Sequence, residues 1–338
     1  MKISEKRTLS SSMLELGVFG LGCSQVGGLY REVSACEASQ TLRAAWDRGI
    51  RYFDTAPFYG YSRSERRVGT ELAERSREEF VLSTKVGRLL HADQTVRNGD
   101  DGWANPLPFR PVYDYGYDGI LRSYQDSLQR LGLSKIDILF VHDIGRLTHG
   151  ERHDIHWRQL TQGGGFRALE SLRDEGAISA IGLGVNEWEI VRDSMNECQL
   201  DCTLLAGRYT LLEQQSLKPL MNQCLAQGNA IVVGGVFNSG ILAGGKHFDY
   251  GEAPPAVVAK VEALKTVCEE FGVPLPAAAL QYPMAHPAVV SCVVGTRTPQ
   301  QLDRSIECFE QDIPEEFWKT LVERELIDPE APIPKGAI

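Results

Sequence analysis

The feature that most limits how this chain can fold is a regular alternation between short apolar runs and stretches with helical spacing. The apolar runs are continuous, which is typical of strands buried on both faces of a parallel sheet. They predict eight strands at residues 18–23, 50–54, 79–85, 135–142, 178–185, 200–205, 230–234 and 289–294. The intervening stretches predict helices at residues 36–48, 64–73, 118–131, 165–175, 187–196, 217–227, 255–271 and 299–309.

Two α/β architectures contain this alternation, a doubly wound sheet and a closed (β/α)₈ TIM barrel. A doubly wound dinucleotide-binding sheet needs a GxGxxG turn after an early strand, and residues 20–25, GLGCSQ, do not complete it. We therefore predict a TIM barrel formed by residues 1–338 as a single domain. The long segment 88–115 is rich in Gly, Pro, Asp and aromatic residues, which predicts a functional or disordered loop.

Charge and hydropathy exclude several classes of partner. The formal net charge is −10, so the chain has no general attraction to a nucleic-acid backbone or to an anionic membrane surface. No segment approaches the roughly 20 apolar residues that a membrane span requires, and the N-terminal segment has no apolar core like that of a signal peptide. We expect a cytoplasmic protein that binds neither nucleic acid nor membranes.

The eight cysteines show no metal-binding spacing. None of them form a CxxC pair, and Cys198 and Cys202, four residues apart, have no further cysteine or histidine cluster beside them. We expect reduced, mostly buried thiols and no metal site.

Titratable residues follow three consecutive predicted strands, which is where TIM barrels carry their active sites. Asp54, Lys85 and His142 end strands two, three and four, and Tyr59 follows Asp54 on the next loop. A tyrosine phenol has a pKa near 10, and a neighbouring ammonium favours its ionised form. We expect Lys85, held by Asp54, to lower the pKa of Tyr59, and His142 to orient the reacting oxygen. This set predicts proton transfer on an alcohol or a carbonyl compound.

The same residues lie in motifs that resemble the aldo-keto reductases over nearly the whole chain. The motifs are GLG at 20–22, GIRYFDTAPFYG at 49–60, STK at 83–85, ILFVH at 138–142, GLGVN at 182–186 and GTRT at 295–298. The resemblance implies a TIM barrel that binds NAD(P)(H) across its mouth. It also implies a catalytic tetrad of Asp54, Tyr59, Lys85 and His142, with Tyr59 as the general acid and base.

The resemblance implies a set of cofactor-binding residues as well, in which Asn186 holds the nicotinamide carboxamide and the 295–298 segment meets the phosphates. Three positions depart from the family pattern: Val185 replaces a serine, Ala206 a glutamine, and Gly234-Gly235 a stacking tyrosine. Gly295 and Gln301 stand where many relatives have the Lys and Arg that bind the 2′-phosphate of NADP, which favours NAD; Arg297 and Arg304 nearby keep NADP as an alternative. The full set is Gly22, Cys23, Asp54, Asn186, Gly234, Gly235, Gly295, Thr296, Arg297, Thr298, Gln301 and Arg304.

Within the family, residues 234–245 and the His142-Asp143 pair resemble a bacterial branch of sugar dehydrogenases. The likeness implies oxidation of an aldose of the L-fucose or D-threo-aldose type at its C1, giving the lactone and reduced NAD. A pyridoxal 4-dehydrogenase or an L-galactose dehydrogenase is the alternative within this branch. The expected substrate-binding residues are Phe58, Trp103, Asp143, Arg208 and Asn238.

Interpretations from other classes stay open at this point. One is a nicotinamide-binding barrel with a regulatory role and no catalysis, against which the complete tetrad argues. A hydrolase or isomerase barrel is another. The state of association, including a homo-oligomer, is also open.

Overall fold

A computed structural model describes residues 1–249 and 251–335. The strands, in chain order, are β1 (Lys6–Thr8), β2 (Glu15–Gly17), β3 (Phe19–Gly22), β4 (Tyr52–Asp54), β5 (Val81–Val86), β6 (Arg88–Ala92), β7 (Phe109–Tyr113), β8 (Ile138–His142), β9 (Ala180–Val185), β10 (Cys202–Ala206), β11 (Ala230–Gly234), β12 (His247–Phe248), β13 (Gly251–Glu252) and β14 (Val289–Gly295). The helices are α1 (Ala35–Asp47), α2 (Arg63–Leu72), α3 (Tyr117–Leu131), α4 (Arg146–His149), α5 (His153–Leu160), α6 (Gly165–Asp174), α7 (Trp188–Ser194), α8 (Leu220–Gln227), α9 (Pro255–Phe271), α10 (Leu275–Gln281), α11 (Pro299–Glu310) and α12 (Glu315–Glu323).

Eight parallel strands close into a barrel in the order β3, β4, β5, β8, β9, β10, β11 and β14. The ring closes between the last and the first of these strands, where Gly295 pairs with Gly22. All eight strands correspond to strands predicted from the apolar runs, and their limits agree within a few residues. The TIM-barrel prediction is therefore confirmed.

The segment 88–115, predicted as an irregular loop, contains an antiparallel hairpin of β6 and β7. Its pairing runs from Arg88 opposite Tyr113 to Ala92 opposite Phe109. The prediction was wrong here because the hairpin carries polar residues and a proline, and its two strands are separated by a long connection. The sequence pattern also did not predict helices α5, α10 and α12 or the hairpin of β1 and β2.

The barrel has two apolar layers because successive residues of a strand point to opposite faces. Tyr52, Ile138 and Phe140 belong to the group of side chains that fills the barrel, and Leu16 from the N-terminal hairpin packs with them. The intervening residues, such as Phe53, pack in the larger core beneath the helices. This alternation also determines which polar residues face the mouth of the barrel.

Two expectations about the whole chain concern membranes and thiols. Within residues 1–249 and 251–335 no helix is long and apolar enough to cross a membrane. The eight cysteines are free thiols, of which Cys36 is exposed and Cys308 half-buried. No cluster of three or more metal-ligating side chains occurs in that described part of the chain.

Candidate active site

Strand alternation brings Asp54 and His142 to the inner face of the barrel at its carboxyl end. Each lies two residues after a barrel-filling aromatic, Tyr52 and Phe140, so it shares that residue's inward direction. Lys85 lies near the end of its own strand in the same way, two residues after Ser83, whose hydroxyl contacts the Tyr52 hydroxyl at 3.1 Å. The structure therefore gathers the three residues that were predicted from the strand ends.

Lys85 is a buried lysine whose charge is balanced by Asp54. Its Nζ donates to Asp54 Oδ2 at 2.7 Å and to the Thr55 carbonyl at 3.0 Å, and the Lys85 side chain is 1% exposed. Ser83 Oγ donates to the other Asp54 oxygen at 2.7 Å. Burial lowers the pKa of the Lys85 ammonium, but Asp54 and the Tyr59 phenol outweigh burial, and the net effect raises that pKa. Lys85 is consequently held as a fixed positive charge.

The Lys85 side chain fits inside the barrel because strand β9 carries glycine. A Cβ on Gly184 would lie 3.1 Å from Lys85 Cε and 3.3 Å from Phe140 Cβ, tighter than ordinary packing. A Cβ on Gly182 would collide with the Cys202 carbonyl of the adjoining strand. Gly184 therefore leaves room for the Lys85 side chain inside the barrel, and Gly182 allows the close approach of β10.

Tyr59 lies in a tight turn that only glycine can close. Gly60 has φ +62°, and a Cβ there would collide with the Gly27 carbonyl of the loop after β3. The Tyr59 N–H donates to the Ala56 carbonyl at 3.1 Å. Lys85 Nζ lies 4.6 Å from the centroid of the Tyr59 ring. The turn therefore sets the phenol over the Lys85–Asp54 pair.

The expected lowering of the Tyr59 pKa is wrong for this structure. Burial raises the pKa of the Tyr59 phenol, Lys85 opposes that effect, and Asp54 adds to it, so the pKa lies above its ordinary value. Burial destabilises the Tyr59 phenolate more than the Lys85 ammonium stabilises it, because Asp54 cancels part of the Lys85 charge. Lys85 acts on Tyr59 in the predicted direction, but its effect is smaller than that of burial.

His142 lies against Tyr59 with ring centroids 5.9 Å apart and planes at 86°. Burial lowers the pKa of His142 well below its ordinary value, and the Arg88 and Lys85 charges add to this. The imidazole is therefore neutral at physiological pH. The Tyr115 hydroxyl donates to the His142 carbonyl at 2.7 Å, which fixes the backbone at the end of β8. A neutral imidazole beside a phenol can hold a substrate oxygen by a hydrogen bond.

These groups open into one cavity of about 460 Å³ at the mouth of the barrel. Phe58 and Trp103 form an aromatic wall, with ring centroids 5.5 Å apart and planes at 84°. The Tyr59 and Trp103 centroids are 5.7 Å apart. The lining residues are Ser24, Leu29, Tyr30, Phe58, Tyr59, Lys85, Asp101, Gly102, Trp103, His142, Asp143, Gly184, Val185, Asn186, Leu204 and Ala206.

Sequence reasoning missed four cavity residues on two loops, although it expected Trp103 of the second loop to bind the substrate. Leu29 and Tyr30 come from the loop after β3, and Asp101 and Gly102 from the connection between β6 and β7. The two loops meet because the Tyr30 N–H donates to the Gly102 carbonyl at 2.8 Å. The position of the first loop after a barrel strand was a usable signal, whereas its contact with the second loop depends on tertiary structure.

Two expected substrate residues are engaged elsewhere. Arg208 donates to the Asn186 carbonyl at 2.6 Å and pairs with Asp249 at 2.9 Å. Asn238 is buried, accepts from the Thr210 hydroxyl at 2.7 Å and donates to the Gly207 carbonyl at 3.3 Å. Neither lines the cavity, so their assignment as substrate ligands is corrected. Their side chains instead stabilise the loops after β10 and β11, where backbone carbonyls need donors.

The expected cofactor residues lie on the rim of the barrel next to this cavity. Gly22 pairs with Asp54 of the neighbouring strand, and the Cys23 N–H donates to the Asp54 carbonyl at 2.8 Å. Gly234 ends β11 opposite Ala206, and the exposed Gly235 follows with φ +61°. Val185 and Ala206, two of the departures from the family pattern, present small apolar groups to the cavity beside Asn186.

The start of α11 has the properties of an anion site. Thr298 caps this helix by accepting from the Gln301 N–H at 3.2 Å. Thr296 Oγ1 and Arg297 Nε are buried and have no hydrogen-bond partner among the residues that the structure describes. A helix N-terminus, a guanidinium and an unused hydroxyl together suit a phosphate group. The residues present therefore fit a dinucleotide whose phosphates meet this helix.

The other residues expected near the phosphates have less capacity to bind a phosphate group. Gln301 Oε1 accepts from the Arg297 N–H at 2.9 Å, which holds the loop before the helix. Arg304 lies one turn further along α11. Gly295 lies against the Gln25 side chain, where a Cβ would collide with the amide. Arg297 is a half-buried cation at this part of the rim.

Comparison with known proteins gives concordant matches. A model of the aldo/keto reductase family matches residues 18–325. Pyridoxal 4-dehydrogenase of Microbacterium luteolum is 50% identical over 97% of this chain and 99% of that protein. D-threo-aldose 1-dehydrogenase of a Pseudomonas species is 38% identical over 96% and 98%. The holo structure of an aldo-keto reductase from Bacillus halodurans has a TM-score of 0.73 at 22% identity, covering 96% of this chain and 97% of that one.

Proposed function

The chain belongs to the aldo/keto reductase family, and from this premise we propose that it oxidises pyridoxal or a closely similar aromatic substrate, with NAD as acceptor. At the level of the family it is an NAD(P)-dependent oxidoreductase. The observation that carries the proposal is the Phe58–Trp103 wall beside Tyr59 and His142. An aromatic wall suits a flat ring, and aromatic pairs add about 0.5–1.5 kcal/mol beyond burial.

The chemistry of pyridoxal matches a site built for proton transfer on a hydroxyl. Its hydroxymethyl group lies beside the aldehyde, so the two close into a cyclic hemiacetal. Removal of a hydride from the hemiacetal carbon and a proton from its hydroxyl gives a lactone, with NAD reduced by the hydride. The same change at C1 of a cyclic aldose gives a sugar lactone, so one set of residues serves both substrates.

We assign the following roles to the chain's own residues. Tyr59 takes the hydroxyl proton, and Lys85, fixed by Asp54, stabilises the phenolate that accepts it. His142 holds the substrate oxygen through its neutral imidazole. The bound nicotinamide would supply the hydride acceptor. Asn186, Gly22 and the N-terminus of α11 are the groups assigned to its binding.

NAD is the proposed nucleotide because the rim around α11 has few charged hydrogen-bond donors for the 2′-phosphate of NADP. Gly295 carries no side chain, and Gln301 is engaged with the Arg297 backbone. Arg297 is half-buried, and its NH2 group donates to the Leu29 carbonyl at 3.0 Å. A second phosphate would need a further charged donor for a strong contact.

The proposal is tested by following nicotinamide reduction with pyridoxal, L-fucose and L-galactose, each with NAD and with NADP. We expect the highest kcat/KM with pyridoxal and NAD, and a lactone two hydrogens lighter than pyridoxal by mass spectrometry. A KM for NADP far below that for NAD would overturn the nucleotide assignment. A tenfold preference for L-fucose over pyridoxal would replace the aromatic substrate by a sugar.

Aldose oxidation, the first interpretation from the sequence, is the second candidate. Asp143 favours it, since a carboxylate that lines the cavity accepts hydrogen bonds from sugar hydroxyls. It stands second because the pyridoxal enzyme is 50% identical to this chain and the aldose enzyme 38%. The aromatic wall also offers more to a planar ring than to a puckered one.

A further inference from the structure

A buried ion pair between Arg88 and Asp143 adjoins the active site and has no role in the proton transfer assigned above. Arg88 donates to Asp143 Oδ2 at 2.5 Å, and their side chains are 4% and 16% exposed. Arg88 begins β6 directly after Gly87, whose φ of +96° turns the chain at the end of β5. Asp143 follows His142 with φ +44°, a conformation that few residues other than glycine adopt.

The Asp143 carboxylate lines the cavity beside the reacting groups. Its Oδ2 lies 3.5 Å from His142 Nε2, and its Oδ1 accepts from Asn186 Nδ2 at 3.4 Å. A carboxylate has about four lone-pair positions, so these contacts leave capacity for another donor. Because His142 is assigned to the reacting oxygen, Asp143 lies within reach of a polar substituent near the reacting carbon.

Arg88 also supports the aromatic wall from behind. Its guanidinium carbon lies 4.1 Å from the centroid of the Phe58 ring and 5.4 Å from that of Tyr113. Arg88 Nε is buried and without a partner among residues 1–249 and 251–335. The guanidinium is thus committed to Asp143 and to aromatic faces, and it connects the polar and the aromatic side of the cavity.

We propose that Arg88 and Asp143 select substrates that carry a hydroxyl group on the first or second carbon from the reacting carbon. Asp143 accepts a hydrogen bond from that hydroxyl, and Arg88 is a positioning residue that aims the carboxylate and keeps it ionised. The inference rests on the proposed function, because pyridoxal has its ring hydroxyl on the second carbon from the aldehyde carbon, and an aldose has its C2 hydroxyl on the first carbon from C1.

Electrostatics around the pair agrees with the geometry. Burial raises the pKa of Asp143 above its ordinary value, and Arg88 and then Lys85 oppose that effect without cancelling it. Loss of Arg88 would leave a buried carboxylate near a neutral imidazole, and such a group takes up a proton. A protonated Asp143 is a poorer acceptor for a hydroxyl, so removal of Arg88 should resemble neutralisation of Asp143.

The experiment combines substrate pairs with three variants. Each pair differs by one hydroxyl: pyridoxal and 3-deoxypyridoxal, L-fucose and 2-deoxy-L-fucose, and, in the reducing direction, lactaldehyde and propanal. The variants are Asp143→Asn, Arg88→Met and Arg88→Lys, with Arg110→Met as matched control. Arg110 pairs with Asp93 and Asp100 on the same hairpin but outside the cavity lining. Thermal unfolding checks that each variant is folded.

In the wild type we expect the hydroxylated member to have a kcat/KM about 10- to 100-fold higher, the effect of a hydrogen bond to a charged group. Asp143→Asn and Arg88→Met should reduce that ratio about tenfold or more, while Arg88→Lys restores part of it and Arg110→Met leaves it unchanged. A separate role in orienting His142 would lower kcat for both members of a pair equally, and that outcome overturns the proposal.

The outcomes separate this inference from the proposed function. A wild type that discriminates lactaldehyde from propanal but oxidises neither pyridoxal nor L-fucose contradicts the proposed substrates and supports the selection of a nearby hydroxyl. A wild type that oxidises pyridoxal but shows no preference within any pair supports the proposed function and overturns this inference.

Discussion

Tyr59 experiences two opposing influences, and their balance determines when it can accept a proton. Burial and Asp54 raise the pKa of the phenol, and Lys85 lowers it. A base with a raised pKa is mostly protonated at neutral pH, which suits donation during carbonyl reduction. Oxidation needs the phenolate, so its rate should rise as the pH rises toward the pKa of Tyr59. The rates of oxidation and reduction therefore depend in opposite ways on the ionisation of one buried group.

Replacement of Tyr59 by Phe should lower kcat for oxidation by about 10²–10⁴-fold, because a positioned general base contributes that much. Nicotinamide binding, followed by fluorescence, should remain detectable, since the phenol is not among the groups assigned to cofactor binding. Tyr117→Phe on the outer helix α3 is the control. Retention of full activity by Tyr59→Phe would contradict the assignment of Tyr59 as the general base.

At the scale of elements, helices α2 and α3 meet at a glycine. Gly69 in α2 lies against the end of α3, where a Cβ would collide with the Leu131 carbonyl. The collision partner is backbone, so it cannot move aside as a flexible side chain can. The long connection between β6 and β7 is also held by specific contacts, including the Tyr61 hydroxyl on Asp101 at 2.5 Å.

Replacement of Gly69 by Ala is a test of this helix contact. Alanine in a helix interior is favoured over glycine by about 1 kcal/mol, so propensity alone predicts stabilisation. Displacing two packed helices costs typically about 1–3 kcal/mol or more, so we expect a net fall in the free energy of unfolding. Urea unfolding measures it, with Gly17→Ala as the control, since a Cβ there meets the Phe19 carbonyl oxygen at an ordinary 3.5 Å.

At the scale of the whole molecule, several histidines are buried in their neutral form. Burial lowers the pKa of His149 and of His286 to about 4. His149 contacts the Tyr115 hydroxyl at 3.0 Å, and His286 Nδ1 accepts from the Ala288 N–H at 3.1 Å. In the unfolded chain both would bind protons below their ordinary pKa of about 6.5. Their contribution to stability is therefore complete above that pH and is lost as the pH falls toward 4.

We expect the free energy of unfolding to fall between about pH 6.5 and pH 4, by roughly 3 kcal/mol for each such histidine. In His286→Asn the amide oxygen replaces Nδ1 as an acceptor but does not titrate. This variant should lose less stability on acidification than the wild type. Denaturant unfolding at several pH values measures the difference, and exposed His91→Asn is the control. Identical pH profiles for His286→Asn and the wild type would contradict this account.

The fold and the candidate tetrad followed from local properties of the sequence. An apolar run long enough to be buried on both faces becomes a barrel strand, and its last residues lie at the carboxyl end of the barrel. The places of Asp54, Lys85 and His142 in the sequence therefore suffice to predict that they lie together. The motif around Tyr59 placed the phenol on the same rim, and the family predicted from those motifs is confirmed.

Tertiary structure alone decided the remaining features. The direction of the Tyr59 pKa shift depends on burial, which is a sum over neighbours from several strands. Arg208 and Asn238 form hydrogen bonds with residues of other loops, and Arg88 pairs with Asp143, which lies 55 positions away in the sequence. Strand and helix patterns are local and periodic, whereas hydrogen bonds, ion pairs and desolvation depend on which distant side chains the closed barrel brings within a few ångströms.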